Sequence, residues 1–415
     1  MYFYISAVKQ TINTNIRQLQ DTIKKFMIRN YGKNSALILL AFFIGTTQLS
    51  AQNSEESLFQ NVKTSFVYTA DIHSNIAGGS ETGTRYLDNI DVNVSFDIED
   101  FSFFVYGLGN QGRSISALSG DIQTLSNIEA ENSWRLYEAW VQRSFKEINS
   151  SLLVGLYDLN SEFDVINTGQ LFLNSSHGIG PDFSSSGITG PSIFPLTSLS
   201  VRLKVNPTPG LIFKVAILDG IPSEPGNTRG TTVKLGDGEG ALLVSELSIT
   251  KPSLKRGVVA GSPYRIALGA WKYTQERTGW QGEQQSDHGF YVLAEAEFNE
   301  SLSGFTRFGM TNHKINRFHS YIGAGINYLG LLENRPLDKI GVAFALPLNS
   351  TSFKDVQESF GNDYSESELN VELTYLTKIS KHFSFQLDTQ YIKNPNLSPD
   401  IDDALVLGVR SVLSF

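Results

Sequence analysis

The chain has 415 residues, a formal net charge of −9, and a composition rich in Gly (36), Phe (27) and Tyr (16). It contains no cysteine, which excludes disulfides, zinc–thiolate sites and thiol catalysis. Its negative charge argues against nucleic acid as a partner, because basic residues must neutralise the phosphates. A chain of this length forms either two ordinary soluble domains or one large closed sheet.

Residues 27–51 have the three parts of a secretory signal peptide. Arg29 and Lys33 supply a basic start, residues 36–44 an apolar run, and Ala51 ends a small-residue cleavage site. The apolar run is about half of the ~20 residues that a membrane-spanning helix needs. We therefore expect this segment to be removed after export rather than kept as an anchor.

Residues 1–26 are interpreted as a mis-called leader or basic extension, with the true start at Met27. The mature chain is then residues 52–415, which we expect to form one domain. It keeps 27 of the 33 basic and 41 of the 42 acidic residues, a net charge of −14. Convincing helical periodicity appears nowhere in it, and we expect no membrane-spanning helix after the signal peptide.

The stretch IDVNVSFDI at 90–98 alternates without error between apolar and polar residues. Such a strand has one apolar and one polar face. In a soluble sandwich the apolar face points to a core, whereas in a membrane barrel it faces lipid and the polar face lines the interior. The same alternation recurs in three further stretches, at 65–72, 383–391 and 405–415.

Three features favour the membrane barrel over the soluble sandwich. The polar faces repeatedly carry Asp, Asn, Gln and Arg, as a water-filled interior requires. Aromatic residues cluster near strand ends, as in interfacial girdles. The last strand ends on Phe415 with apolar residues at alternate positions, a form typical of recognition by the outer-membrane assembly machinery. The sequence thus predicts an all-β, transmembrane, antiparallel β-barrel.

The length of the mature chain limits the strand number. Sixteen strands would leave about 23 residues for each strand and its connection, which suits strands of about 10 residues with short turns at one end and long loops at the other. Fourteen or eighteen strands are also compatible with this length.

Seven blocks in the same order resemble the carbohydrate-selective porins of bacterial outer membranes. They include SALSGDIQTLSNIEAENSWRLYEAWVQRSF and LLVGLYDLNSEFDVINTGQLFLNSSHGIGPDF. The blocks lie at 116–145, 152–183, 193–205, 215–226, 333–345, 367–396 and 404–415. The resemblance implies sixteen strands, extracellular loops folded inward to narrow the pore, and passive diffusion of sugars, glucose among them.

The segments RLYEAWVQR and GLYDLNSEF supply the candidate pore-lining residues. Sugars are recognised by aromatic faces and by planar charged or amide groups that hydrogen-bond to hydroxyls. Strict alternation puts Trp134, Glu138 and Trp140 on one face, which we expect to be luminal, and leaves the two Arg near the strand ends or in loops. The predicted substrate-binding residues are Trp134, Arg135, Tyr137, Glu138, Trp140, Arg143, Asp158, Asn160 and Glu162.

Two other motifs are interpreted as structural. GLGNQG at 107–112 spells a dinucleotide fingerprint but lacks the following helix that the fold requires. Ser176 and His177 are adjacent, and neighbours on an extended chain point apart, so they do not form a nucleophile–base pair. The six His are scattered, so we expect no metal, no cofactor and no enzymatic activity.

We therefore expect a passive channel in the bacterial outer membrane whose luminal Arg and acidic residues face each other across a constriction. Mono- and oligosaccharides would be its substrates, and outer-membrane lipid and the barrel assembly machinery its partners. A general or cation-preferring porin without sugar selectivity is the alternative, which the acidic charge fits equally well. The oligomeric state is left open.

Overall fold

Sixteen antiparallel strands in the described part of the chain form one closed sheet, in which each strand pairs with its neighbours in sequence and β1 pairs with β16. The computed structural model describes residues 62–222, 230–231, 233, 238–251 and 263–415. The predicted leader and signal peptide, residues 1–51, lie outside these ranges. The strands are β1 Lys63–Gly79, β2 Gly83–Ile98, β3 Phe101–Gly112, β4 Ser133–Phe145, β5 Ser150–Tyr157, β6 Ser198–Thr208, β7 Leu211–Asp219, β8 Ala241–Lys251, β9 Tyr264–Thr278, β10 Gln284–Glu297, β11 Leu302–Thr311, β12 Phe318–Leu329, β13 Lys339–Asn349, β14 Leu369–Lys378, β15 Phe383–Lys393 and β16 Asp402–Ser414.

The barrel closes where the first and last strands meet. Phe66 N donates to Phe415 O at 3.1 Å, and Phe415 N donates back to Phe66 O at 2.9 Å. The pairing continues from Val67 opposite Ser414 to Gly79 opposite Asp402. Closure leaves no unpaired sheet edge, which a strand structure needs in lipid because no water is present to satisfy the backbone.

The apolar face of the strands points outward and the polar face inward, as the alternation predicts. On β1, Ile72 is 52% exposed on the outside, whereas Asp71 and His73 are fully buried inside the barrel. On β2, Asp91 faces inward, because it accepts a hydrogen bond from the inward-facing Tyr106 of β3. The apolar set of IDVNVSFDI therefore covers the outside of the barrel.

Within the described ranges, three short α-helices lie in the connections at one end of the barrel: α1 Ser116–Ser119, α2 Pro181–Ser184 and α3 Thr351–Ser359. The nine-residue α3 is a helix that periodicity in the sequence did not reveal. It begins after Ser350, whose hydroxyl accepts a hydrogen bond from Phe353 N as an N-cap. None of the helices in the described ranges is long and apolar enough to cross a membrane.

Two long connections fold into the barrel: the β3–β4 loop, residues 113–132, and the β5–β6 loop, residues 158–197. The apolar core therefore lies inside the barrel, between the β5–β6 loop and the inner wall. Phe183 of the loop stacks on Trp271 of β9 with ring centroids 4.9 Å apart, and Phe172 packs against Phe305 of β11 at 5.9 Å. The inward-folded loops that the resemblance implies are present.

Candidate functional site

The β5–β6 loop is fixed to the inner wall by a fully buried arginine. Arg307 of β11 is 0% exposed and reaches two loop carboxylates, Asp164 and Asp182, each at 2.6 Å. Charge-assisted, bidentate contacts of this kind are among the strong hydrogen bonds. They hold the middle of the loop against the wall opposite its own strands.

Backbone contacts extend this attachment around the barrel. Glu372 of β14 accepts hydrogen bonds from Leu173 N at 2.6 Å and Asn174 N at 3.0 Å. Asp287 of β10 accepts one from Gly187 N at 2.8 Å. Because carboxylates on several strands satisfy loop N–H groups, the loop crosses the lumen in one fixed path.

The β3–β4 loop is held in the same manner and joins the β5–β6 loop. Ser126 donates to Asp71 of β1 at 2.7 Å, and Asp71 is paired with Arg410 of β16 at 2.7 Å. Asn127 N donates to Leu173 O at 2.7 Å, which links the two loops. Together they fill the side of the lumen next to β8–β16 and leave open the side next to β2–β4.

Among the described residues, this open side contains a cavity of about 600 Å³, called the luminal cavity below. Strands β2–β4 form one wall and the two loops form the other. Its polar lining consists of carboxylates, amides and hydroxyls, and its aromatic lining of Tyr106, Tyr137 and Phe194. The full lining is Asn89, Asp91, Tyr106, Ile122, Gln123, Thr124, Asn127, Ile128, Glu129, Tyr137, Asp158, Asn160, Ser175, Ser176, Gly178, Ile179, Pro181, Ser184, Ser185, Ile193, Phe194 and Pro195.

Aromatic rings and carboxylates alternate along the strand wall of the luminal cavity. The rings of Tyr106 and Tyr137 meet edge to face with centroids 4.9 Å apart. The Tyr106 hydroxyl donates to Asp91 at 2.6 Å. Directly after the end of β5, the carboxylate of Asp158 accepts a hydrogen bond from Asn160 N at 2.8 Å. Burial raises the pKa of Asp158 to about 6. This combination offers a sugar both ring faces and hydrogen-bond acceptors.

A β-bulge in β4 decides which of its residues face the luminal cavity. Tyr106 pairs with Glu138, but Gly107 pairs with Leu136, so Tyr137 is the extra residue on β4. Both Tyr137 and Glu138 are consequently buried on the inside, where strict alternation allows one of them. The predicted faces are therefore correct for the residues of β4 that follow Tyr137 and inverted for those that precede it.

The predicted faces of two residues that precede the bulge are wrong for this reason. Arg135 lies near the start of β4, as expected, but it is buried on the luminal side rather than on the opposite face, and it donates to Ser133 Oγ at 2.6 Å and Pro195 O at 3.0 Å. Trp134, expected to be luminal, lies on the opposite face with its indole against Gly109. A Cβ at position 109 would come within 2.7 Å of the indole, so any larger residue there would force the Trp134 ring to shift.

After the bulge, the residues of β4 point to the faces that alternation predicts. Glu138 is luminal and accepts from Trp140 Nε1 at 3.0 Å and Asp158 N at 3.2 Å. Trp140 stacks on Phe104 at 5.1 Å. Arg143 lies near the strand end, as expected, with its guanidinium 5.1 Å from the Phe145 ring, away from the luminal cavity.

Of the nine predicted residues, Tyr137, Asp158 and Asn160 line the luminal cavity directly. Glu138 and Trp140 lie immediately beside it, and Glu162 is instead paired with Arg202 at 2.6 Å. Sequence reasoning missed the contributions of β2 and β3, Asn89, Asp91 and Tyr106. For Asp91, the alternation of IDVNVSFDI predicts the observed position, because it places that carboxylate on the inner face.

The motifs interpreted as structural have no catalytic geometry. GLGNQG lies in strand β3, and no helix begins at its third glycine. Neither Ser176 Oγ nor the ring nitrogens of His177 have a hydrogen-bond partner in the described residues, so no nucleophile–base pair exists. Burial lowers the pKa of His177 to about 3, which keeps its ring neutral. In the same ranges no group of three His, Asp or Glu is placed to hold a metal ion.

The chain is similar to porins of known sequence and structure. Porin B of Pseudomonas aeruginosa is 22% identical over 402 residues, which cover 83% of this chain and 85% of that protein. A high-pH structure of OprB from Pseudomonas putida has a TM-score of 0.75 at 22% identity and covers 86% of this chain and 94% of that one. The outer-membrane channel DcaP of Acinetobacter baumannii has a TM-score of 0.54 at 11% identity and covers 85% and 97%. These similarities establish the fold.

The family assignment rests on a match that spans most of the chain. The model of the family described as "Carbohydrate-selective porin, OprB family" matches residues 81–415. This range includes β2 to β16 and the two inward loops. The chain therefore belongs to the carbohydrate-selective porin, OprB family, and is a channel of the bacterial outer membrane rather than an enzyme.

Proposed function

We propose that the chain allows passive diffusion of small neutral sugars of the glucose class, including short oligosaccharides, through the luminal cavity. The observation that carries this proposal is the composition of its wall. Tyr106, Tyr137 and Phe194 present aromatic surface next to Asn89, Asp91 and Asp158. Aromatic surface matches the C–H face of a sugar ring, and the acceptors match its hydroxyls.

The transport step makes and breaks no covalent bond. A sugar loses part of its hydration at the constriction, and the amides, hydroxyls and carboxylates of the luminal cavity replace it. The contacts must be weak enough for the sugar to leave again, since conduction requires binding that is neither absent nor tight. The direction of flow is then set by the concentration gradient alone.

Liposome swelling with the purified mature protein tests sugar selectivity. We expect glucose to enter faster than a zwitterionic amino acid of similar size, because only glucose presents a ring face and adjacent hydroxyls. Tyr137→Ala should reduce this preference. Tyr264→Ala, the same change on an outward position of β9 that is 41% exposed, should leave it intact. Equal effects of both variants would contradict the proposed role of Tyr137.

A general or cation-preferring porin is the second candidate, and the acidic lining of the luminal cavity supports it. The swelling assay separates the two functions. A general porin admits glucose and the amino acid at rates that follow size, whatever residue occupies position 137. Equal rates in the wild type would replace the sugar-selective function with this second one.

We also propose outer-membrane lipid and the barrel assembly machinery as partners. The outward apolar face of the strands supports the first. The alternation of β16 supports the second, since Leu407 is 44% exposed on the outside and Arg410 is buried inside. Deleting Phe415 should lower the amount of folded barrel recovered from membranes, and an unchanged yield would count against this partner.

A further inference from the structure

Arg143, which lies away from the luminal cavity, points to the outside of the barrel near one end of β4. It pairs across the sheet with Phe101 of β3 and Leu152 of β5, which are 38% and 37% exposed on the apolar outer face. Phe145, two residues further on, is the last residue of the strand. Arg143 is therefore a cation on the lipid-facing surface, about 7 Å from the end of its strand.

This end of the barrel is the periplasmic one. The two loops that fold into the lumen connect strands at the opposite end, whereas β4 and β5 are joined here by the four residues 146–149. Barrels of this kind have long loops on the extracellular side and short turns on the periplasmic side. Arg143 is therefore level with the inner leaflet of the outer membrane, which consists of glycerophospholipids.

The guanidinium of Arg143 is held by two aromatic rings and has no counter-ion in the protein. Its central carbon is 5.1 Å from the centre of the Phe145 ring and 5.5 Å from that of the Phe101 ring. Asp100 in the adjacent turn is paired with Lys146 at 2.7 Å, and Arg143 forms no ion pair within the described residues. Cation–π contacts orient the side chain but leave its N–H groups available. A guanidinium oriented in this way can bind a phosphate through two parallel hydrogen bonds.

An apolar groove of about 340 Å³ lies on the same outer face, next to Arg143 and further from the strand end. Val141 lines the groove, precedes Arg143 by two residues and points to the same side. The rings of Phe96 and Phe103 stack at 4.8 Å, and the small side chain of Ala139 leaves space between the larger ones. The outward lining residues are Phe96, Phe103, Val105, Ala139, Val141 and Val154. Such a groove accommodates an acyl chain.

We infer that Arg143 and this groove together form a binding site for one glycerophospholipid of the inner leaflet. The phosphate lies at the guanidinium and an acyl chain lies in the groove. The inference rests on the proposed function in its lipid partner, for which it names a site and a lipid class, and it does not depend on sugar transport. An arginine on the lipid-facing surface is costly at the bilayer centre and much less so near the interface, where a phosphate compensates its charge. Lipid A carries phosphates and acyl chains as well, but it occupies the other leaflet.

Native mass spectrometry of the purified, delipidated mature protein tests the site with three probes. Phosphatidylglycerol carries both chains and phosphate, diacylglycerol with the same chains lacks the phosphate, and glycerol 3-phosphate lacks the chains. We expect one phosphatidylglycerol to bind about tenfold more tightly than either of the other two, because each of them makes only part of the contacts. Equal binding of diacylglycerol would leave the barrel with general lipid contact and overturn the site. Tighter binding of lipid A than of phosphatidylglycerol would contradict the inner-leaflet assignment.

Substitutions of the two neighbouring cations test the phosphate contact. Arg143→Gln removes the charge and keeps a long polar side chain, so it should weaken phosphatidylglycerol binding about tenfold. Arg143→Lys should restore the affinity only in part, because an ammonium is a point charge without the planar fork. Lys146→Gln, on a side chain that is 79% exposed, is the matched control and should leave the affinity unchanged. A wild-type affinity for Arg143→Gln, or equal losses in both Gln variants, would overturn the assignment.

A larger residue in the groove tests the acyl-chain contact independently of the charge. Ala139→Leu should fill the groove and lower the affinity for phosphatidylglycerol. Ala270→Leu is the same change on an outward alanine of β9 outside the groove, opposite the outward Phe290, and should have no effect. Both positions lie on the lipid-facing surface, so neither variant disturbs the barrel interior. Unchanged binding by Ala139→Leu would contradict the proposed site.

Discussion

At the scale of single residues, the barrel uses buried charge for attachment. Arg307 is fully buried, and its guanidinium lies between two carboxylates of the β5–β6 loop and over the rings of Tyr291 and Tyr321, at 5.5 and 5.2 Å. Desolvating these charges is costly, so such a pair adds less stability than its contacts suggest. Removing one partner, by contrast, is strongly destabilising, because the remaining charges stay buried without compensation.

We predict that Arg307→Ala lowers the free energy of unfolding by about 3–5 kcal/mol, because Asp164 and Asp182 lose their shared cation. The freed loop should also raise the single-channel conductance. Thermal unfolding in detergent and bilayer recordings measure the two effects. The control is Lys146→Ala, which removes an exposed pair with Asp100 and should leave both quantities nearly unchanged. Equal effects of the two variants would contradict the role of Arg307.

A second prediction at this scale concerns Asp158, whose pKa burial raises to about 6. The charged form dominates above this pH and the neutral form below it. The carboxyl of Glu138 lies beside Asp158, where it accepts a hydrogen bond from Asp158 N at 3.2 Å. Cation preference in reversal-potential measurements should therefore fall as the pH drops from 7 to 5. Asp158→Asn should weaken this dependence, and an unaltered pH profile would contradict the assignment.

At the scale of elements, the loops rather than the strands set the width of the lumen. The β5–β6 loop reaches the far wall, where Glu372 accepts from two consecutive loop N–H groups. It also supplies one wall of the luminal cavity. The strands form the wall of the barrel, and the contacts that attach the loops to this wall determine the width of the lumen.

Glu372→Ala should loosen the loop, because two buried N–H groups lose their acceptor at a cost of about 1–3 kcal/mol each. We expect larger and noisier single-channel currents. Glu366→Ala, at a position that is 74% exposed and paired with Lys354 outside the barrel interior, should give currents like those of the wild type. A wild-type trace for Glu372→Ala would show that this attachment does not set the pore width.

The same elements show what the sequence could and could not predict. The alternation of β2 correctly placed Asp91 inside, because this strand pairs with both neighbours without a bulge. In β4 the same reasoning was wrong for Trp134 and Arg135, because the bulge at Tyr137 shifts the phase and no local pattern marks it. The path of the loops depends on partners far away in sequence, such as Glu372, which alternation does not reveal.

At the scale of the whole molecule, the barrel has its apolar surface outside and its polar surface inside. Its apolar core lies between the inserted β5–β6 loop and the inner wall, whereas the core of a soluble domain lies at the centre of the domain. The luminal cavity that remains is offset toward β2–β4 and lined by carboxylates, amides, hydroxyls and aromatic rings. From this arrangement we expect a narrow, water-filled channel rather than a wide pore.

Planar-bilayer recording of the purified mature protein with glucose tests this account most directly. We expect small, stable ion currents that added glucose reduces in a concentration-dependent manner, because sugar and ions share the luminal cavity. Currents that glucose leaves unchanged at every concentration, or the complete absence of conductance from folded protein, would contradict it.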